Sequence, residues 1–138
     1  MHEIFKLSDH IHFLPVVHGC ASFSREIRNH ILSEKCDCLA VALPPEFQTS
    51  VEEGIDLLPQ ITLSTQQETD GGLNYVPIDP SQPLIAGLRV AKQEGISRKF
   101  IDWSTPDYET RHTNFPDTFS LRKVSYEKLS STLLLTVK

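Results

Sequence analysis

The sequence predicts an α/β domain of three layers, with a mainly parallel sheet of four or five strands between helices. Two observations predict it. Short apolar runs of strand length alternate with longer stretches whose apolar residues recur every three or four positions. The runs are also continuous, which is the pattern of strands covered on both faces. Alternation at this spacing implies parallel strands joined by right-handed crossovers.

The first run is Ile11-His-Phe-Leu-Pro-Val-Val-His18, too short for a helix and followed by Gly19, so it reads as a buried strand. Ser22 or Ser24 then caps a helix. Phe23, Ile27 and Ile31 form its stripe, with Leu32 beside them and Arg25, Glu26 and Arg28 outside it. Cys38-Leu-Ala-Val-Ala-Leu43 is the second strand, stopped by Pro44 and Pro45. Phe47, Val51, Ile55 and Leu58 mark the second helix, which Pro59 closes. Thr62 to Gly72 is polar, ends in Gly-Gly and reads as a loop. Tyr75 to Asp79 is a short third strand. Pro80 and Pro83 bracket Ser81 as a helix start. Leu84, Leu88 and Ala91 line the third helix up to a stop at Gly95. Lys99 to Trp103 is the fourth strand.

Residues 1–103 thus form the expected sheet domain, and 104–138 differ in kind. The first part carries 14 acidic and 8 basic residues; the second carries 4 and 5. Ser104 to Thr118 is polar and broken by Pro106 and Pro116. Phe119 to Leu135 reads as a helix, or its end from Thr132 as a fifth strand. This segment is expected to be a C-terminal arm or lid. No closing amphipathic element follows, so the chain reads as the N-terminal part of a larger protein.

A net charge of -5 argues against nucleic acid and anionic lipid, which both reward a basic surface. No apolar stretch approaches the roughly 20 residues of a membrane span, and no leader is recognisable. The expected compartment is the cytoplasm. Three cysteines, Cys20, Cys36 and Cys38, are an odd count that suggests no disulfide framework, and they read as reduced, half-buried thiols.

In open parallel sheets, ligands bind beyond the carboxyl ends of the strands, where helix N-termini also point. Those positions are His18-Gly19-Cys20, Pro44-Pro45-Glu46, Asp79 and Asp102-Trp103. His18 is a candidate metal ligand, general base or electrophile, or else a polar strand end. Gly19 lets backbone approach a bound group. Ser22 offers a hydroxyl, or is an N-cap. Asp79 and Asp102 each suit a catalytic or ligand-holding carboxylate and equally an Asx-turn. Glu46 fits a ligand contact less well than a first-turn carboxylate facing the helix dipole. Arg111 and His112 would reach the site from a lid. His10 and His12 alternate near the first strand and mark a solvated edge. No P-loop, dinucleotide fingerprint, nucleophile elbow or H-E-x-x-H motif is present.

The string Leu14-Pro-Val-Val-His-Gly-Cys-Ala-Ser-Phe-Ser-Arg-Glu-Ile-Arg28 precedes Cys38-Leu-Ala-Val-Ala-Leu-Pro-Pro45. Val76-Pro-Ile-Asp-Pro80 and Phe100-Ile-Asp102 follow. Together, over about residues 11–103, they resemble the opening of the TraB/Tiki/erythromycin-esterase/ChaN-like superfamily. The resemblance implies an α/β hydrolase-like domain with a divalent-metal site, in which His18 matches the first-strand histidine. Pro15 stands at the motif's glycine, Val16 or Val17 at an acidic position, and Ala42 at the second-strand glutamate, unless Glu46 replaces it. The family's second histidine motif is not found. A hydrolytic metal centre uses about three protein ligands, and one matches. The leading expectation is therefore a hydrolase-like domain with an incomplete site, acting on a small-molecule or peptide substrate through His18, Asp79 and Asp102. A non-catalytic binding or assembly module, whose arm contacts a partner or a second copy in a homodimer, is the alternative. A small-molecule or anion binder at the strand ends is the third reading.

Overall fold

Strand pairing begins with two short antiparallel pieces, β1 (Lys6–Ser8) and β2 (Ile11–His12), in which Lys6 faces His12 and Ser8 faces Ile11. The structure is a computed structural model that describes residues 6–68, 71–103, 117–121 and 123–136. Only the first two residues of the predicted first strand are paired. Pro15 removes a donor from the middle of that run. Residues 13–17 are instead held by side chains, with Leu14 and Val16 packed against Ile27, Ile31 and Val90.

Helix α1 (Ala21–Ser33) buries Phe23, Ile27 and Ile31 as its periodicity predicts. A short turn leads to β3 (Cys38–Val41), then a 3-10 turn at Pro45–Phe47 and α2 (Gln48–Asp56), which buries Val51 and Ile55. The next segment departs from expectation. Thr62–Gln67 is a strand, β4, and pairs antiparallel with β5 (Leu73–Ile78) from Thr62 opposite Ile78 to Gln67 opposite Leu73. Gly71, at φ +90°, turns this hairpin.

Helix α3 (Pro83–Gln93) ends where Gly95 predicts. Gly95, at φ +70°, donates to Lys92 O, and Ile96 donates to Ala91 O at 2.8 Å, the paired bonds of a Schellman stop. β6 (Ser97–Phe100) then lies parallel to β3, with Cys38 opposite Ser97 and Val41 opposite Phe100. The chain closes with α4 (Thr118–Leu121) and α5 (Tyr126–Thr136), so the predicted C-terminal helix is broken in two and residue 132 is helical.

The predicted three-layer domain with four or five mainly parallel strands is therefore wrong. The parallel sheet has two strands, β3 and β6, and the third predicted strand belongs to a separate antiparallel hairpin. One face of the parallel pair is covered: Val41 and Phe100 join Phe47, Val51, Ile55, Ile78, Ile85 and Leu88 in the main core. The other is open, with Cys38, Ala40, Ala42 and Lys99 exposed and Ile101 61% exposed. The reason is legible in residue size. A continuous apolar run at residues 38–43 alternates large Leu39, Val41 and Leu43 with small Cys38, Ala40 and Ala42, and the small ones face out.

A second core joins α1 to α3 through Ile27, Ile31 and Val90. Gly87 sets their separation. A Cβ there would stand 3.0 Å from Ile27 Cγ2, so the two helices meet where α3 has no side chain. Among the described residues, no helix is long and apolar enough to cross a membrane.

Candidate strand-end site

Both α1 and α3 return through short turns to a strand of the parallel pair. Their N-terminal ends therefore lie at the same end of the molecule as the carboxyl ends of β3 and β6. Two hydrogen bonds lock those helix starts together. The Gly19 amide donates to Gln82 Oε1 at 3.0 Å, and Ser24 Oγ donates to the Ser81 carbonyl at 2.8 Å. Gly19 takes φ +70°, which reverses the chain just before α1 and aims its N–H across to α3. These cross-bonds bring the His18 turn and the Asp79 turn into contact from distant parts of the sequence, although neither turn follows a strand of the parallel pair.

His18 is exposed in this turn. Ser22 is half-buried and lies 3.0 Å from the Sγ of buried Cys20. Neither helix start has a side-chain cap, and neither first turn contains an acidic residue. The first turn of α1 therefore brings no carboxylate of its own to its amides, of which that of Phe23 donates to Cys20 O at 3.0 Å.

The two candidate carboxylates are engaged locally. Asp79 Oδ1 accepts from the Ser81 amide at 2.7 Å, and the Gln82 amide donates to Asp79 O at 3.0 Å, an Asx-turn that launches α3. Asp102 Oδ1 accepts from the Trp103 amide at 2.8 Å. Its own amide donates to Leu43 O at 3.1 Å, which places it beside the end of β3, while Trp103 is 85% exposed. Glu46 is exposed in the 3-10 turn. Arg111 and His112 lie outside the described residues.

A cleft of about 320 Å³ opens nearby, between Ser22, Phe23 and Arg25 of α1 and Lys123, Tyr126 and Glu127 near the start of α5. Tyr126 anchors that side. Its hydroxyl donates to the carbonyl of buried Pro15 at 2.8 Å, and its ring meets Phe23 edge to face at 5.1 Å. Burial pushes its phenol well above the ordinary value.

Sequence reasoning missed one pair altogether. His12, read as a solvated edge, is half-buried, and its Nδ1 lies 3.1 Å from Nε2 of His30 in the last turn of α1. Burial and then the neighbouring His12 hold His30 below its ordinary value, and the charge of Glu34 opposes them. No spacing rule relates positions 12 and 30, so only the fold could reveal the contact. The cysteines are all free thiols. Burial, then Glu34 and Asp37, push the Cys36 thiol up, which disfavours its thiolate.

Among the described residues, no group of three or more His, Cys, Asp or Glu side chains is arranged to hold a metal ion. No protein-family model, curated protein or solved structure matches the chain.

Proposed function

We propose that this chain is a cytoplasmic, ligand-binding domain of the hydrolase-like type, akin to the TraB/Tiki/erythromycin-esterase/ChaN-like superfamily, whose strand-end face takes a small anionic molecule. The observation that carries the reading is the pair of cross-bonds, Gly19 to Gln82 and Ser24 to Ser81. They fasten two uncapped helix starts side by side, next to an exposed imidazole. Helix starts favour anions through their unpaired amides and the helix dipole. The exposed His18 ring adds nitrogens that can hydrogen-bond the bound molecule.

The residues present do not fit a hydrolytic metal centre. Such a centre uses about three protein ligands and an open position, whereas Asp79 and Asp102 each commit one oxygen to their own turns. Asp79 and Asp102 therefore shape the turns beside the binding face rather than hold a metal.

Amide spectra recorded with inorganic phosphate and with acetate test the reading. Saturable shifts confined to His18, Gly19, Ala21, Ser22 and the Ser81–Gln82 turn are expected, weakened in His18→Ala. Flat spectra up to about 10 mM ligand, well past the weakest affinity of interest, would refute it.

A further inference from the structure

Away from the strand-end turns, two imidazoles from separate elements face each other. His12 belongs to β2 and His30 to the last turn of α1. Nδ1 of the first and Nε2 of the second are 3.1 Å apart, and the rings meet at 68° with centroids 5.3 Å apart. In the neutral pair one facing nitrogen carries a proton and the other accepts it.

The same geometry suits adjacent ligands of one transition metal. With Zn–N bonds of about 2.0–2.1 Å, two nitrogens stand roughly 3.3 Å apart at a tetrahedral angle and roughly 2.9 Å apart at a right angle. The observed separation falls between the two.

We propose that His12 Nδ1 and His30 Nε2 form a two-imidazole chelate for a borderline divalent transition ion, of which zinc is the type, with solvent completing the coordination. The proposal stands apart from the strand-end reading, shares no residue with it and extends the molecule's chemistry to a second place. When the ion enters, the protonated facing nitrogen gives its proton to water and the ring's remote nitrogen takes one up. Both imidazoles stay neutral, as ligands must be, and no net proton is released.

Imidazole pairs select zinc, nickel and copper over magnesium and calcium, which prefer oxygen. Glu34 lies one turn beyond His30, its amide donating to His30 O at 3.0 Å, and its negative charge acts on that imidazole. The structural consequence follows from where the two ligands sit. β2 is two residues long and, among the described residues, pairs only with β1, so an ion shared with α1 would staple the N-terminal hairpin to the helix.

The test is titration of the 138-residue chain with Zn²⁺ alone, followed by calorimetry and by long-range imidazole nitrogen spectra. One equivalent should bind, with His12 Nδ1 and His30 Nε2 becoming the coordinated nitrogens, and Mg²⁺ should not bind. His12→Gln and His30→Gln should each weaken binding by more than about tenfold. The double variant Cys36→Ser/Cys38→Ser should leave it unchanged. Three results overturn the proposal: no saturable binding below about 1 mM, loss of binding in the cysteine variant, or survival of full affinity in either histidine variant. Should a histidine variant fail to fold, the wild-type nitrogen shifts decide alone, and coordination at any other histidine overturns the proposal.

Discussion

Replacing Gly54 with alanine pits two known effects against each other, and the structure says which one wins. Gly54 is buried in the last turn of α2. In an exposed helix the change would stabilise by about 1 kcal/mol, because glycine loses more backbone entropy on folding. Here the added Cβ runs into Ile78 Cδ1 of β5 and comes within 3.0 Å of Thr62 Oγ1 in β4. Ile78 is 1% exposed and packed in the main core, so its methyl has little room to retreat. Overpacking of this kind costs roughly 1–3 kcal/mol. Because Ile78 has no room to move, the upper part of that range, about 2–3 kcal/mol, applies, and less the helical gain of about 1 kcal/mol it leaves an expected net loss of about 1–2 kcal/mol. That corresponds to a urea midpoint lowered by roughly 0.5–1 M for a usual denaturant slope. Ile78→Val removes the offending methyl and by itself costs about 0.5–1.5 kcal/mol. Combined with Gly54→Ala it should cost less than the sum, by a coupling of about 1 kcal/mol. Urea unfolding of the four proteins measures every term. A Gly54→Ala variant more stable than wild type, or strictly additive single effects, would refute the packing argument.

Two further outcomes follow from contacts that join distant segments. Arg98 grips Glu52 with two bonds, Nε to Oε1 at 3.2 Å and Nη2 to Oε2 at 3.1 Å, and about four-fifths of each side chain is covered. The Arg98 bonds hold the Glu52 carboxyl below its ordinary value of 4.5. Because that group takes up its proton more readily in the unfolded chain, the pair stabilises fully above the ordinary value and loses this contribution as pH falls through the lowered one. Glu52→Gln should therefore cost about 1–2 kcal/mol at neutral pH, with the gap to wild type closing in acid, as unfolding curves at successive pH values will show. Tyr126→Phe keeps the ring contact with Phe23 but leaves the buried Pro15 carbonyl without its phenol donor. A loss of about 1 kcal/mol is expected, read as a lowered urea midpoint with an unchanged denaturant slope.

Where burial by large apolar side chains dictated the structure, the sequence was informative. The stripes Phe23, Ile27, Ile31 and Leu84, Leu88, Ala91 place α1 and α3, and Gly95 stops the second as its positive φ requires. The hairpin was hidden because the inward positions of its first strand are not apolar. In β4 the most buried residue is Ser64, whose hydroxyl bonds to Ser50 of α2, and the half-buried residues two places to either side are Thr62 and Gln66. A polar strand has no period-two signal, so Gly71 and Gly72 read as the end of a loop when they belong to a hairpin turn. That single omission turned an antiparallel pair into a supposed member of the parallel sheet. The site was half-legible for a related reason. The bonds between the starts of α1 and α3 bring the His18 and Asp79 turns together, but an Asx-turn and a ligand-holding aspartate have the same local sequence, and only the Ser81 amide at 2.7 Å distinguishes them.

The two sides of the strand-end face are supported differently, and this decides where recognition is built. On one side, α1 and α3 meet at Gly87 and share a core, and the approach that glycine allows keeps their starts close enough for the Gly19–Gln82 bond. On the other, Asp102 extends from a two-stranded pair with one bare face and ends beside an exposed Trp103. A binding group needs neighbours that lock its position to within a fraction of an ångström. His18 is carried by a turn tied to α3, whereas Asp102 has only its own turn and a strand edge. Ligand contact should accordingly centre on the helix starts and fade toward β6, so that a site drawn symmetrically around all the strand ends would overstate the part of Asp102.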